Sequence, residues 1–466
     1  MTAIKRKKAP QDETRASFRE FLSAYRIPIL IILLVAFGWR LVLVIGFPHG
    51  AFDEIRYTAP AVNMLAGRGF SADVTEPYLP GEHTMPLYPL FIAAIYAVFG
   101  EHNSAVRIAQ SAVDILTCLL VAFVSFNLAP TSLKKPAAIL SLIIYGCLSW
   151  FTVFLTRYVV TETLAMFLTM LAVGLSIWAL RGGSWRWLIV GTICGLAILT
   201  RADSVLLVFA FVLFLVFQIV RRRSSARVVS LLLFCLAIPL VLGPWIVRNY
   251  LAFRKFQPLA SGYGRPRGEF VPTGYLLWSR TWMTDESNYH VGDLIFHKGS
   301  RALDPSKLPD YVFDSVAEKE EVAQLIAKYN QTGDMGPELD SQFRALAWQR
   351  IKRAPLRFYL WLPLKRIAAM WLTGFVTSNR LHMFARIILV LPILIGGALG
   401  FAIWARNPAV VTLLALVILI RTIFFAYFGA EARYIIEGYP AVIAACGVTG
   451  AALWCYLNRF RKKRWL

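Results

Sequence analysis

The sequence predicts an all-α protein that crosses a membrane about ten times, with further helices lying in the membrane interface. Hydrophobic residues make up 58% of the 466 positions and charged residues only 16%, whereas soluble domains are about 25% charged. Ten apolar stretches reach or approach the length of roughly 18 residues that a helix needs to cross a bilayer. Composition and stretch length therefore both favour a polytopic membrane protein.

The predicted spans follow from these ten stretches, of which 186–200 is the shortest. They lie near 27–47, 104–128, 137–156, 160–180, 186–200, 204–220, 228–248, 384–404, 408–428 and 434–457. Because no cleavage site of the A-x-A kind follows the first stretch, we expect it to be an uncleaved signal anchor.

Two further apolar stretches, 86–100 and 355–375, predict amphipathic helices that lie in the membrane interface. The first is short and contains two prolines, and the second carries Lys365 and Arg366 at its centre. A charged residue at the middle of a bilayer is costly, so a crossing helix is disfavoured there.

The charge distribution predicts that both termini are cytoplasmic. The chain carries 49 Lys and Arg against 27 Asp and Glu, a net charge of +22. With ten spans, the basic clusters of the two termini and of the segments near 134, 181, 223 and 406 all fall on one side, as the positive-inside rule requires. The membrane topology therefore explains the excess of basic residues, and nucleic acid is excluded as a partner. We expect a cell membrane location of the bacterial inner-membrane type, with membrane lipids as partners.

This topology divides the chain into cytoplasmic ends, membrane modules and two outer loops. The predicted segments are a basic N-terminus (1–26), the first span (27–47), a first outer loop (48–103), a six-span module (104–248), a large outer loop with its interfacial helix (249–383), three C-terminal spans (384–457) and a basic tail (458–466). In the large loop, the segments 310–330 and 337–353 are predicted to be helices. The loop itself, with "GYGRPRGEF" and "YLLWSRTW", is either a mobile lid that covers the site and selects the acceptor or an ordinary surface loop.

Acids and arginines interleave at the outer ends of the predicted spans, where ionisable groups are costly and often functional. These residues are Asp53, Glu54, Arg107, Asp114, Arg157, Glu162, Arg201, Asp203, Arg248, Glu431, Arg433, Tyr434 and Glu437. We expect Asp114 and Glu437 to be packing or hydrogen-bond anchors. The adjacent pair Asp53–Glu54 needs a compensating cation or a role, because two carboxylates repel each other and an anionic membrane surface.

A carboxylate facing several arginines at a membrane surface suits the chemistry of a lipid-linked phosphosugar. Arginine recognises phosphate through bidentate, charge-assisted hydrogen bonds, and a carboxylate can take the proton of an attacking hydroxyl. The lipid of such a donor would lie in the bilayer, its phosphate would be the leaving group, and its sugar would face the acid.

The motifs at these positions resemble those of the GT-C superfamily of membrane glycosyltransferases, and most closely the branch of the protein O-mannosyltransferases and the lipid A aminoarabinose transferases. The strongest match is the first loop, "FDEIRYTAPAVNMLAGRGF" followed by "MPLYPLFIAAIYAVFG". Weaker matches are "RIAQSAVDILTCLL", "VVTETLAMFLTMLA", "GTICGLAILTRADS", "GPWIVRNYLAFRKFQPLASGYG" and "EARYIIEGYPAVIA". The resemblance runs from about residue 27 to 457 and implies a GT-C-like fold.

The resemblance also implies inverting transfer of a sugar from a polyprenyl phosphate to a hydroxyl acceptor on a glycan, lipid or protein. Asp53 would be the general base, and Glu54 and Arg56 would position the sugar or the acceptor. Arg201 and Arg433 are the first candidates for the phosphate, because cations count most where charge develops in the transition state. Further substrate-binding candidates are Arg157, Glu162, Arg248 and Tyr434.

The sequence predicts metal-independent chemistry, although a divalent ion is not excluded. The six cysteines have no CxxC spacing, and the first loop lacks the D-x-D motif of oligosaccharyltransferases. His83 beside Glu82 is a candidate metal pair without a third ligand in view. These residues also mark a departure, since aminoarabinose transferases carry Glu-Lys before the proline-rich helix where this chain has His83–Thr84; the aminoarabinose activity itself is therefore not predicted.

Two other classes of function remain open at the level of sequence. A lipid-linked sugar flippase would also place charges among its spans, but transporters concentrate them in mid-membrane at broken helices. A non-catalytic scaffold for polyprenyl lipids would not need the acid pair. Within the enzyme class, the donor sugar can be a hexose or a pentose, because a few hydroxyl contacts decide that choice.

Overall fold

The structure is a computed structural model, and it describes residues 17–48, 50, 54–260, 270–284, 308–333, 335–373, 380–429 and 431–463. These residues form helices joined by turns and irregular segments. Asp53 and the stretch 261–269, which contains most of "GYGRPRGEF", lie outside the described residues.

The first half of the chain forms eleven helices. They are α1 (Phe18–Ala24), α2 (Arg26–Gly46), α3 (Ile55–Leu65), α4 (Leu87–Phe99), α5 (Asn103–Leu128), α6 (Thr131–Leu148), α7 (Trp150–Arg157), α8 (Glu162–Ala179), α9 (Arg186–Thr200), α10 (Val205–Arg222) and α11 (Ser225–Phe253). α1 begins with a capping box, in which Ser17 and Glu20 each accept a hydrogen bond from the other's backbone N–H at 3.1 Å. This short helix leads directly into α2, the first span.

The second half of the described chain forms seven helices. They are α12 (Thr273–Arg280), α13 (Val316–Thr332), α14 (Pro337–Arg353), α15 (Leu362–Ala368), α16 (Arg380–Leu399), α17 (Pro408–Phe428) and α18 (Tyr439–Lys463). α13 and α14 confirm the two helices predicted in the large outer loop. Ser315 caps α13 by accepting a hydrogen bond from Glu318 N at 3.2 Å, and α14 begins at Pro337, which suits a first helical turn.

The structure confirms the all-helical, multi-span class. Within the described residues, eight helices are long and apolar enough to cross a bilayer, and the pair α6–α7, bent by 46°, makes a ninth. The predicted span at 186–200 is α9, which has 15 residues and is therefore only about 22 Å long, short of the ~30 Å of hydrocarbon. Neither α4 nor the helical segment around α15 meets the criterion for a crossing helix, in agreement with the prediction that they do not span.

Two glycines allow the short helix α9 to pack closely along α11. A Cβ at Gly191 would lie 2.4 Å from the carbonyl oxygen of Phe234, and one at Gly195 would lie 2.8 Å from the Cβ of Val241. Small residues let membrane helices approach until their backbones are in contact, which supplies the dispersion energy that holds them together in lipid. The glycine-rich sequence of α9 is thus explained by its packing.

The large loop has an aromatic core of its own and is joined to the spans through contacts that include those of Arg366. Tyr275 and Trp278 of α12 pack on Phe343 of α14, with ring centroids 5.2 Å apart in both pairs. Arg366 of α15 is 3% exposed and donates to the backbone carbonyls of Arg280, Met283 and Ala426. It therefore joins the end of α12 to the end of α17.

Candidate active site

Glu54, the residue after the predicted base, is held at the N-terminal end of α5. Its carboxylate accepts from Arg107 Nη2 at 3.0 Å and from the backbone N–H of Val159 at 3.0 Å. The side chains of Glu54 and Arg107 are largely buried, with 13% and 10% of their surface exposed. Glu54 therefore joins the first outer loop to α5 and to the connection between α7 and α8.

The same connection is held from its other side by Gln110, one turn below Arg107 on α5. Gln110 Nε2 donates to the carbonyl oxygen of Tyr158 at 2.9 Å, and the Gln110 side-chain oxygen accepts from the hydroxyl of Tyr88 on α4. Buried polar groups in lipid must be paired to avoid a large desolvation cost. These bonds fix residues 158–161 between the first loop and α5.

Arg201 lies in a buried ionic network at the junction of α8, α9 and α10. It donates to Glu162 at 2.9 Å, to the hydroxyl of Thr161 at 2.9 Å and to both carboxylate oxygens of Asp203 at 3.0 and 3.1 Å. Thr161 follows Val159 by two residues, so the environments of Glu54 and Arg201 share one short segment. The ends of α8, α9 and α10 that carry Glu162, Arg201 and Asp203 therefore lie together.

A second arginine, Arg421 of α17, completes this network. It donates to Asp203 at 2.6 Å and to Glu437 at 2.8 Å. Glu437 also accepts from Thr169 of α8 at 3.1 Å and lies 3.5 Å from Arg201. Glu437 is 2% exposed and has the anchoring contacts expected of it.

The charge of this network bears on the role predicted for Arg201. In the described part of the chain, two guanidinium groups face three carboxylates, so the network carries one net negative charge when all five groups are ionised. A phosphate next to Arg201 would meet that excess negative charge at close range. The geometry favours a structural role for Arg201 and Glu162, and the phosphate contact of Arg201 stays a prediction.

Arg433 and Tyr434 lie at the start of the last span. Arg433 donates to Glu431 at 2.5 Å and its side chain is 29% exposed. The Tyr434 ring stacks on Phe425 at 4.8 Å, and its hydroxyl donates to Glu431 at 3.4 Å. Arg201 lies 5.8 Å from the centre of the Tyr434 ring, so this pair borders the buried network.

Arg248 of α11 fastens the first outer loop to the membrane module. It donates to the carbonyl oxygens of Gly81 and Phe70 at 2.8 and 2.9 Å, and its guanidinium stacks on Trp245 at 4.9 Å. The side-chain N–H groups of Arg248 donate to the backbone of the loop and to Asn249. Arg248 therefore holds residues 70–81 in place in this structure. Its substrate contact stays a prediction.

Arg157, at the end of α7, lies against aromatic rings. Its guanidinium lies 4.5 Å from the centre of the Phe154 ring and 5.6 Å from that of Tyr158. Its Nε is buried without a hydrogen-bond partner, and no described carboxylate forms an ion pair with it. Burying an unsatisfied cationic donor is costly.

Glu82 and His83 lie beside Lys255 and Arg56 in the first loop. Glu82 is 5% exposed and its Oε2 lies 3.6 Å from Lys255 Nζ, while the exposed Arg56 is near enough to His83 to affect its pKa. Over the described ranges, no three His, Cys, Asp or Glu side chains are grouped so that they could hold a metal ion. The pair thus has no third described ligand, and metal independence stays a prediction.

Stability should depend on pH through His83. Burial lowers the pKa of His83 from its ordinary value of 6.5, while Glu82 raises it and Arg56 lowers it further. The unfolded chain therefore binds a proton more readily than the folded chain, so stability is complete above pH 6.5 and is lost as the pH falls through 6.5 to the folded pKa. We expect the melting temperature of the purified protein to fall between about pH 7.5 and pH 5, and to fall less for His83→Gln. An equal fall in the variant would contradict this, and His102→Gln, at an exposed position, controls for the loss of an imidazole.

Sequence reasoning omitted three arginines that organise the site and the spans. Arg107 lies at the start of the second predicted span without a predicted role, and Arg40 and Arg421 lie inside apolar stretches. An ionisable residue within a span is costly enough to signal a function or a buried partner. That signal alone would have found Arg40 and Arg421.

Residues 82–247, about a third of the chain, match the family model of dolichyl-phosphate-mannose-protein mannosyltransferases. The match runs from the first outer loop, through Arg107, Glu162 and Arg201, to the seventh predicted span. A direct comparison with curated proteins finds no match.

Among solved structures, the fold is similar to that of an oligosaccharyltransferase from Archaeoglobus fulgidus, crystallised with a tethered acceptor peptide. The TM-score is 0.52 at 13% identity over 95% of this chain. This chain spans about half the length of that protein, 51% of it. ArnT from Cupriavidus metallidurans aligns at a TM-score of 0.40 both with undecaprenyl phosphate (13% identity, 90% of this chain and 78% of that chain) and in the apo state (15%, 92% and 78%). The fold class and the resemblance to GT-C membrane glycosyltransferases are confirmed.

Proposed function

We propose that this chain, whose fold is that of the GT-C membrane glycosyltransferases, transfers a sugar from a polyprenyl phosphate to a hydroxyl group at the outer face of the membrane. The acceptor is a glycan, lipid or protein of the cell envelope. The transfer inverts the configuration at the sugar carbon, and Asp53 is the general base.

The observation that carries the proposal is the position of Glu54. Arg107 and the Val159 amide hold this carboxylate where the first loop, α5 and the α7–α8 connection meet. Asp53 precedes Glu54 directly in the sequence. Because the carboxylate of Glu54 is occupied by these hydrogen bonds, Glu54 holds the loop in place, and Asp53 is the carboxylate that we assign to the reaction.

The proposed reaction is a single displacement. Asp53 accepts the proton of the acceptor hydroxyl, and the acceptor oxygen attacks the anomeric carbon from the face opposite the phosphate. The bond between that carbon and the phosphate oxygen breaks, and the electron pair leaves with the polyprenyl phosphate. Because negative charge develops on the leaving phosphate, an arginine placed there lowers the barrier more than it strengthens ground-state binding.

The partners in this proposal follow from the family match and from the charge at this end of the spans. The matched family is named for the transfer of mannose from dolichyl phosphate to protein, which supports a lipid-phosphate donor. Arg433, which forms an ion pair with Glu431 and is 29% exposed, and Arg56, which is exposed, are accessible cations for the donor. The buried Arg201 supports them by fixing the ends of α8 and α10.

The test is a release assay on the purified full-length protein. Co-extracted lipids are identified by mass spectrometry, and the protein is incubated with polyprenyl-phosphate hexoses and pentoses and with hydroxyl acceptors of the three classes. We expect free polyprenyl phosphate to appear with at least one donor. A protein that releases none, but moves a lipid-linked sugar across the bilayer of proteoliposomes, is a flippase, and the proposal is then wrong.

A further inference from the structure

Resting on the proposed donor class, we propose that Arg157 binds the phosphate of the polyprenyl donor and that a lipid-facing aromatic strip leads to it. The strip consists of Trp39 on α2 and of Trp150, Phe154 and Tyr158 along and just after α7. In this arrangement the strip carries the first isoprene units of the lipid, and the guanidinium at its end receives the phosphate.

The strip is continuous from the body of the first span to the outer end of α7. The ring centroids of Trp39 and Trp150 are 6.1 Å apart, those of Trp150 and Phe154 are 5.5 Å apart, and those of Phe154 and Tyr158 are 5.6 Å apart. Trp39 and Trp150 are 37% and 44% exposed on the apolar surface of the spans. Aromatic rings on a lipid-facing surface provide a rigid, apolar contact for an unsaturated chain.

Arg157 supplies the charge that a phosphate needs. Four other arginines near the site already have carboxylate partners in the described structure: Arg107 pairs with Glu54, Arg201 and Arg421 with three acids, and Arg433 with Glu431. Arg248 is used on backbone carbonyls. Arg157 has a buried, unpartnered Nε and forms no ion pair with a carboxylate of the described residues, so a phosphate oxygen would satisfy a donor that otherwise lacks an acceptor.

The stacking of Arg157 prepares it for this role. The Phe154 and Tyr158 rings, 4.5 and 5.6 Å from the guanidinium carbon, hold the side chain in place, so less side-chain entropy is lost when the phosphate binds. Two residues further on, the Val159 amide binds Glu54. A phosphate on Arg157 would therefore lie close to the junction that holds the first loop.

The experiment measures the affinity of the full-length protein in nanodiscs for a C55 polyprenyl phosphate, with the corresponding polyprenol and phosphatidylglycerol as competitors. We expect Arg157→Gln to raise the dissociation constant by about tenfold to a hundredfold, as the loss of a charge-assisted hydrogen bond predicts. The dissociation constant of Arg157→Lys should lie between those of the wild type and Arg157→Gln, since lysine keeps the charge but lacks the planar guanidinium. Trp150→Ala should weaken binding by a smaller factor.

The matched control is Arg186→Gln. Arg186 also has a buried, unpartnered Nε and stacks on Trp178 at 4.2 Å, but it lies at the opposite end of the spans. This variant should bind the polyprenyl phosphate with unchanged affinity. Folding of every variant is checked by its melting temperature, and Arg157→Lys carries the test if the glutamine variant does not fold.

Each outcome decides the inference separately from the proposed function. An unchanged dissociation constant in folded Arg157→Gln and Arg157→Lys overturns the inference, even if the wild type transfers sugar. Equal competition by phosphatidylglycerol, or no binding of the polyprenyl phosphate by the wild type, also overturns it. Binding that depends on Arg157, in a protein that releases no polyprenyl phosphate from any donor, supports the phosphate site and contradicts the transfer reaction.

Discussion

Asp53→Asn should lower the rate of sugar transfer by about 10²–10⁴-fold, the range that a general base contributes. Asparagine has nearly the size of aspartate but cannot accept the proton of the acceptor hydroxyl. The affinity for the polyprenyl phosphate should stay unchanged, because the base contacts the acceptor and not the leaving group. Single-turnover release of polyprenyl phosphate, together with binding of the same lipid, measures both effects.

The control for this variant lies in the same loop. The carboxylate of Asp73 accepts from the Ser71 hydroxyl at 3.1 Å and from the Leu79 amide at 2.8 Å, so its role is to shape the loop. Asp73→Asn should leave most of the activity in place. If Asp53→Asn transfers sugar at the wild-type rate, Asp53 is not the base, and the acid pair serves only to hold the loop.

Removal of Asp114 should destabilise the protein by about 3–5 kcal/mol, the cost of breaking a buried ion pair. Arg40 and Asp114 are both fully buried, with Arg40 Nε 2.8 Å from the carboxylate. Asp114 also accepts from the Tyr145 hydroxyl at 2.6 Å, and Arg40 donates to the carbonyl oxygen of Gly146 at 2.9 Å. Asp114→Ala leaves the guanidinium unpaired among three spans, and thermal unfolding in detergent measures the loss.

Two further variants test the physical reason for that loss. The double variant Arg40→Met/Asp114→Leu should recover much of the stability, because it removes both charges together. Asp310→Ala breaks the ion pair between Asp310 and Lys319 on the exposed surface, and it should change the melting temperature little. If Asp114→Ala unfolds at the temperature of the wild type, the Arg40 pair does not stabilise the bundle.

Local properties of the chain made much of the fold predictable. Hydropathy over a window of residues located nine of the predicted spans, and the helical patterns at 310–330 and 337–353 located α13 and α14. The tenth predicted span is only 15 residues long, and it packs against α11 through Gly191 and Gly195. Length and composition describe a segment by itself, and the contact that decides its role involves another part of the chain.

The candidate site, too, could be predicted from the sequence only in part. The sequence by itself predicted that acids and arginines lie at one end of the spans, since the order of apolar stretches predicts which end each residue occupies. Only the tertiary structure decided the partner of each charge: Arg421 meets Asp203 across 218 positions of sequence, Arg201 lies among three carboxylates, and Arg157 stacks on aromatic rings without a described acid. The reason is that an ion pair depends on a separation of about 3 Å between charged atoms, and the packing of distant helices sets that separation.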